Sequence, residues 1–421
     1  MNILLVHQYY LEKNDGGGSR FNEMTAIWAD KGHHITVLAG MVHYNTGLKN
    51  EKYRNKWFYK EEYTENIEVI RCHVSEAYNK NFLGRFWGYL SFTFFSIWAG
   101  LFKTGKKFDL ILATSPPLFT GIVAIIISLF KRVPYVFEVR DLWPESAIDA
   151  GVLKNKLIIK LSYWMEAKSY RYAKIINVLT PAFRDTLINV KHIAPEKIIF
   201  IPNAADFNIA EHVSKDFNKE LFKSEQGLSS DYFLITYVGA HGLANGLGLI
   251  LETAKKLCDE PVLFLLIGTG MEKEKLVERA KTENINNVQF LDPVPKSEIF
   301  KFILASDAGA SILIKAETFK TIYSNKTFDY MSCKKPVLLA IDGVSRELIE
   351  TANCGLFVEP GNANDFAEKI KLYLEDRDMV TLHGENGYEY ARKHFDRKVL
   401  AGKYLEELEK VVKGGRWKVE G

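Results

Sequence analysis

Two successive series of short β-rich runs, each run followed by a longer helical pattern, constrain this chain more than any other feature. In the first half the runs are Asn2–His7, His34–Leu38, Glu68–Cys72, Leu110–Thr114, Tyr135–Val139, Ile175–Leu179 and a short Ile198–Ile201 that stops at Pro202-Asn203. Helical patterns such as Arg20–Lys31 and Ser162–Tyr172 lie between them. A second series starts at Asp231 with Leu234–Val238 and runs through Val262–Ile267, Val288–Phe290, Ala308–Ser311, Val337–Ala340 and Gly355–Val358. Strands that alternate with helices predict α/β layering on parallel sheets. At 421 residues the chain exceeds one ordinary core, so two open α/β units are expected, over 1–203 and 204–387. The polar stretch Ala204–Ser230 reads as their connection. The amphipathic pattern Tyr388–Lys413 has no strand to serve, so a terminal helix over 388–421 is expected to return to the first unit and pack across both. Ligands of open α/β sheets bind at the carboxyl ends of strands, which predicts a site in a cleft between two facing units.

Hydrophobic content of 47% and charged content of 25% exclude a disordered or fibrous chain. The net charge of +3 hides an asymmetry: residues 1–202 carry +8 and the remainder −5. A basic half suits an anionic partner, a membrane surface or a phosphorylated acceptor, and solvated surface charge is the plainer reading. Four scattered cysteines without a C-x-x-C pair argue for a reducing compartment, with neither a disulfide framework nor a zinc site. The N-terminus MNILLVHQYY lacks the parts of a signal peptide, so the cytoplasm is the expected location. Phe86 to Phe102 holds no charged residue and is flanked by Arg85 and Lys103. It reads as a minimal membrane span, an interfacial helix or a core helix.

The loops after the strands carry the chemistry. Asp15-Gly16-Gly17-Gly18-Ser19-Arg20 follows the first strand and leads into a helix. Glycines admit close backbone approach and a helix N-terminus favours an anion, so Gly17, Gly18 and Arg20 are phosphate or acceptor candidates; a flexible turn is the alternative. Arg140-Asp141-Leu142-Trp143-Pro144-Glu145 ends another strand with a cation and a carboxylate, either a site or a buried ion pair. In the second half Gly239, His241 and Asn245 follow one strand, Gly268 and Gly270 the next, and Val294 the third. Ser324-Asn325-Lys326-Thr327-Phe328-Asp329 is the densest pattern: Ser324 can cap a helix aimed at phosphate, Lys326 adds a full charge, and Asp329 one turn on can accept sugar hydroxyls.

In this order these residues resemble glycosyltransferase family 4, closest to a branch of bacterial O-antigen and capsule transferases similar to fucosamine transferases. Lys31-Gly32-His33, Arg140 through Ser146, Ile201-Pro202-Asn203 with Asp206, Ser324 through Met331, and Gly355 through Gly361 carry the resemblance over nearly the whole chain. It implies a GT-B fold of two Rossmann-like domains, acceptor-side first and donor-side second, and a retaining enzyme. The wider family's pyrophosphate Arg and Lys fall on Ala240 and Asn245, its two glutamates on Thr321 and Asp329, and its strand-end His on Arg140. Charge neutralisation is then expected from Lys326, Arg20 or Arg140, with Asp141 beside it and Asp329 on the ribose.

The resemblance implies a UDP-sugar donor, an N-acetylated deoxyhexosamine being the sugar that branch suggests. The acceptor would be a lipid-linked glycan of O-antigen, capsule or exopolysaccharide synthesis, reached at the inner face of the plasma membrane. No cofactor, metal or nucleic acid is expected. Asp376-Arg377-Asp378 matches the D-x-D metal signature of a different transferase architecture but lies in a helical, charged stretch. A catalytically inactive sugar-nucleotide-binding subunit and a UDP-sugar 2-epimerase are the alternatives.

Overall fold

The computed structural model describes residues 1–12, 20–43, 47–79, 82–105, 107–149 and 151–414. Gly17 and Gly18 therefore lie outside the described residues. The chain divides into two compact units, Met1–Pro202 with Lys398–Gly421, and Asn203–Arg397.

Unit 1 is built on strands β1 (Asn2–Val6), β2 (His34–Gly40), β3 (Phe58–Thr64), β4 (Ile67–Cys72), β5 (Leu110–Ser115), β6 (Tyr135–Val139), β7 (Ile175–Val178) and β8 (Ile198–Phe200). Their order is β3-β4-β2-β1-β5-β6-β7-β8, parallel except for the β3–β4 pair. Every residue of β5 and β6 is buried, as expected of strands covered by helices on both faces. Edge strand β3 has no counterpart among the expected strands. Its sequence, FYKEEYT, has three charged residues in seven, a composition that suits an edge exposed to water.

Unit 2 holds β9 (Phe233–Val238), β10 (Val262–Ile267), β11 (Val288–Leu291), β12 (Ala308–Ile312), β13 (Val337–Ala340) and β14 (Gly355–Phe357). They form an all-parallel sheet in the order β11-β10-β9-β12-β13-β14. Each sheet has a reversal of strand order, at β1/β5 in unit 1 and at β9/β12 in unit 2, and such switch points open a crevice at the carboxyl ends.

Two expectations about the connections need correction. The stretch 204–230 is no simple linker: helices Phe207–Ser214 and Lys219–Glu225 occupy it and bury Phe207 and Phe222 in unit 2. The single amphipathic pattern from Tyr388 is two helices, Arg377–His394 and Arg397–Lys413. The break falls at Phe395, whose ring is buried in unit 2 against Phe328 at 4.8 Å, so residues 388–397 stay with unit 2. The last helix packs in unit 1, where Trp28 Nε1 donates to Ala401 O at 2.8 Å and stacks edge-on against Tyr404.

The apolar stretch after Arg85 belongs to a helix, Phe82–Phe102. Its inner face buries Phe92, Ser96 and Ala99, and Gly100 lets it approach Ile127 of the Phe119–Lys131 helix, where a Cβ would collide. Its outer face leaves Trp87, Phe94, Trp98 and Phe102 exposed, each at least 47%. Among the described residues no helix is long and apolar enough to cross a membrane, which overturns the spanning reading.

Candidate functional site

In unit 2 the carboxyl ends of β9, β10 and β12 are packed backbone to backbone. Gly239 (φ 141°) and Gly268 (φ 150°) adopt conformations that disfavour any side chain. A Cβ on Gly268 would sit on the Gly239 carbonyl, and one on Gly270 would strike the backbone of His241. The Gly239 N–H donates to Ile267 O at 3.0 Å, and the Lys273 ammonium binds Gly268 O at 2.9 Å, Leu291 O at 2.8 Å and Asp292 at 2.7 Å. Lys273, absent from the sequence-based candidates, thus ties the loops after β10 and β11 together.

Over this platform lies Lys326, in the first turn of the helix Asn325–Ser332. Its ammonium stands 5.0 Å from the centroid of the Tyr237 ring, and its Cε would meet a Cβ on Gly239 at 2.9 Å. Among the described residues it makes no hydrogen bond or ion pair. Burial pushes its pKa down to about 8, only partly opposed by the Asp329 carboxylate. A cation held in low dielectric without a neutralising contact is costly, and an anionic ligand relieves that cost.

The helix under Lys326 starts differently from expectation. Ser324 stands at the N-cap, but its side chain caps nothing; its hydroxyl accepts from the Ser311 hydroxyl at 2.7 Å. This fastens the helix start to β12 and leaves the first-turn N–H groups without a side-chain cap. Tyr330 locks the other end: its hydroxyl lies 3.0 Å from Thr236 O and 3.1 Å from Ala310 O and accepts the Val238 N–H. Gly309 makes room for that ring, since a Cβ there would overlap it. Thr321, at a family glutamate position, donates its hydroxyl to Thr318 O.

Three donor-side candidates are placed differently from expectation. His241 is fully buried, neither ring nitrogen has a partner among the described residues, and burial together with Lys273 lowers its pKa to about 4. It is a neutral packing element between Tyr237 and Phe290. Asn245 closes a 3₁₀ turn three residues before the helix that starts at Gly248. Val294 packs against an apolar cluster that includes Leu265 and Phe302.

In unit 1 the expected phosphate role of Arg20 is overturned. Its side chain is 4% exposed and grips the equally buried Glu138 with Nε at 3.0 Å and Nη2 at 3.2 Å. It also donates to Ile201 O and Pro202 O, while Asn177 binds Glu138 and the Ile201 backbone. Arg20 is an interior clamp on the end of unit 1.

Arg140 and Asp141 stand at the end of β6, and the Arg140 N–H donates to Ser115 O at the end of β5. Asp141 accepts the Ser146 hydroxyl at 2.8 Å, and burial raises its pKa above the ordinary value. Beside them, at the end of β1, His7 sits 2.6 Å from Thr114 Oγ1. Burial first, then the charges of Arg140 and Arg71, keep its imidazole neutral. His7 was not among the sequence candidates; its only signal was its place as the last residue of the first expected strand.

Asp206 of the Ile-Pro-Asn motif caps the Phe207–Ser214 helix and pairs with Lys296 at 2.8 Å. Asp376 caps the Arg377–His394 helix by accepting the Met379 N–H. Among the described residues no group of three or more metal-ligating side chains comes together.

Residues 15–204 match the glycosyl transferase 4-like domain, and residues 218–390 match glycosyl transferases group 1. The two matches take in most of the chain. The chain is a family 4-like glycosyltransferase. This transferase is 22% identical over 414 residues, 97% of its length and 100% of the relative's, to WcaI of Escherichia coli K12, assigned to colanic acid biosynthesis as a glycosyl transferase. It is 24% identical over 317 residues, 74% of its length and 80% of the relative's, to a Campylobacter jejuni enzyme. That enzyme is named N,N'-diacetylbacillosaminyl-diphospho-undecaprenol alpha-1,3-N-acetylgalactosaminyltransferase. Among solved structures, sucrose-phosphate synthase of Thermosynechococcus elongatus superposes with a TM-score of 0.74 at 14% identity, over 98% of this chain and 100% of that one. Anabaena HepE in complex with UDP-glucose gives 0.69 at 18% identity, over 97% and 100%. The fold is GT-B, and the glycosyltransferase belongs to glycan biosynthesis.

Proposed function

We propose that this glycosyltransferase is a retaining enzyme that moves a sugar from a UDP-sugar to a hydroxyl of a lipid-linked glycan, without a metal ion. The observation that carries the reading is Lys326: a half-buried ammonium with no hydrogen bond or ion pair among the described residues, above the glycine platform at the switch point of unit 2. The bond from the sugar's anomeric carbon to the diphosphate breaks as the acceptor oxygen bonds that carbon on the same face. The acceptor proton passes to a departing phosphate oxygen. No protein nucleophile is required; the protein must stabilise the charge that grows on the diphosphate. Lys326 and the first-turn N–H groups of its helix supply that stabilisation. Asp329, one turn further, takes the nucleotide ribose, and Arg140 with Asp141 serves the acceptor side. The UDP complexes of HepE and the diphospho-undecaprenol in the Campylobacter enzyme's name support the donor and acceptor classes.

The acceptor class brings the protein to a membrane surface. The exposed aromatics Trp87, Phe94, Trp98 and Phe102 form one stripe of the Phe82–Phe102 helix, within the basic half of the chain. Such a surface binds anionic bilayers reversibly and weakens with salt. The transferase reading is tested by incubating the protein with a panel of nucleotide sugars and a lipid-linked acceptor in excess chelator. Acceptor-dependent release of UDP is expected. Binding without release would favour an inactive subunit, interconverted sugar an epimerase, and activity restored only by Mn²⁺ or Mg²⁺ would contradict metal independence.

A further inference from the structure

Unit 1 contains a cavity of about 330 Å³ that the transfer chemistry does not use. Its walls are the Phe82–Phe102 helix with Phe86 and Tyr89, the loop after β5 with Leu118, Trp143 of the loop after β6, and the segment 152–165 with Leu161 and Met165. Among the described lining residues, Arg85 and Ser162 alone are neither apolar nor aromatic.

We infer that this cavity seats the hydrocarbon chain of the lipid-linked acceptor next to its phosphate, an assignment that rests on the acceptor class proposed above. A sugar or a peptide buried here would leave hydroxyls or amides without partners, at a cost of roughly 1–3 kcal/mol each by mutational measures. A hydrocarbon chain has no such groups, and its burial is favourable in proportion to area. Arg85, exposed and lining the cavity, carries the matching charge. A chain inside and a phosphate at Arg85 satisfy both features.

The position separates the acceptor from bulk lipid. Two walls come from the loops after β5 and β6, so the cavity lies at the carboxyl end of the sheet, in the same loop as Arg140 and Asp141. A bulk lipid has no reason to sit beside the reaction loop; the acceptor does. The surroundings fit a membrane approach: Val152, Leu157, Leu161 and Trp164 are all exposed, Leu157 by 79%.

Calorimetric titration with farnesyl phosphate, inorganic phosphate and short-chain phosphatidylglycerol tests the assignment on wild type, Leu161→Asp and Val152→Asp. Both positions are exposed enough for an aspartate to leave folding intact, which circular dichroism verifies. Farnesyl phosphate should bind wild type far better than inorganic phosphate does, and each aspartate should weaken it by about tenfold or more. Unchanged affinity in both folded variants overturns the assignment, as does a wild type that binds farnesyl phosphate no better than phosphate. Equal binding of the phospholipid, lost in the same variants, overturns it in favour of bulk lipid. Co-sedimentation with anionic vesicles reads the membrane surface separately. Farnesyl phosphate binding by a protein that ignores vesicles sustains the cavity and removes the membrane reading.

Discussion

Arg20 in unit 1, buried, and Lys326 in unit 2, half-buried, are both cations just inside the start of a helix, and they do opposite things. Arg20 meets Glu138 with Nε and Nη2 and two backbone carbonyls with Nη1 and Nη2, so its charge is fully answered by the fold. Lys326 lies over an aromatic ring and a glycine with no hydrogen bond or ion pair among the described residues. Neighbours, and not residue type, separate scaffold from site. The same contrast runs through unit 1, where Lys191 is held by Glu145 and Glu166 and Arg71 by Glu61.

Breaking the clamp should give the largest effect. Arg20→Met leaves Glu138 buried and unpaired, and removing one partner of a buried pair costs about 3–5 kcal/mol. The loss is expected in chemical denaturation of the whole protein; a variant as stable as wild type would refute the clamp. Double replacement of Arg20 and Glu138 by apolar residues should recover much of it, because an orphaned charge is worse than none.

Lys326→Ala should act on catalysis and spare the fold. Removing one electrostatic contact to developing charge lowers kcat about 10²–10³-fold, and Lys326→Arg should recover only part of that. The pH profile sharpens the distinction. Because the free enzyme needs the ammonium, kcat/KM for the donor should hold steady below pH 8 and fall as pH rises through about 8. Stability moves the other way. Between about 8 and the ordinary 10.5 the unfolded lysine holds more protons than the folded one, so this group makes stability rise with pH in that window. A profile flat to pH 10 would contradict the burial of Lys326.

The smallest effect belongs to Asp376. As a helix cap its replacement by alanine should cost about 1 kcal/mol and leave kcat unchanged with or without added Mn²⁺. A metal-dependent loss of activity would return the D-x-D reading.

Much of the architecture was legible because strands buried on both faces are nearly continuous apolar runs, as in LILATS and VLFLLI. Strand β3 was not, because an edge strand has water on one side and its charged residues mask the alternation. The break in the last amphipathic pattern was also hidden, since only a partner ring across the fold, Phe328, shows why Phe395 stops the helix. In the site, the helix bearing Lys326 and the glycine loops could be read from spacing. Arg20 was misread because a cation after glycines resembles a phosphate loop. The corrective signal was Glu138, a lone acid inside the apolar strand YVFEV that required a buried partner. The roles of His7 and Lys273 depend on neighbours supplied by distant strands, which no local pattern contains.

The central claim is that the diphosphate neutralises Lys326, and the most direct measurement is the ionisation of that ammonium itself. With lysines isotope-labelled at the ε position and Lys326 assigned by its absence from Lys326→Arg, its NMR shift is followed against pH with and without saturating UDP. A pKa near 8 is expected in the free protein, raised by bound UDP to the ordinary lysine range or above, because the ligand's negative charge favours the ammonium. A Lys326 pKa that is unaltered while UDP is demonstrably bound would contradict it.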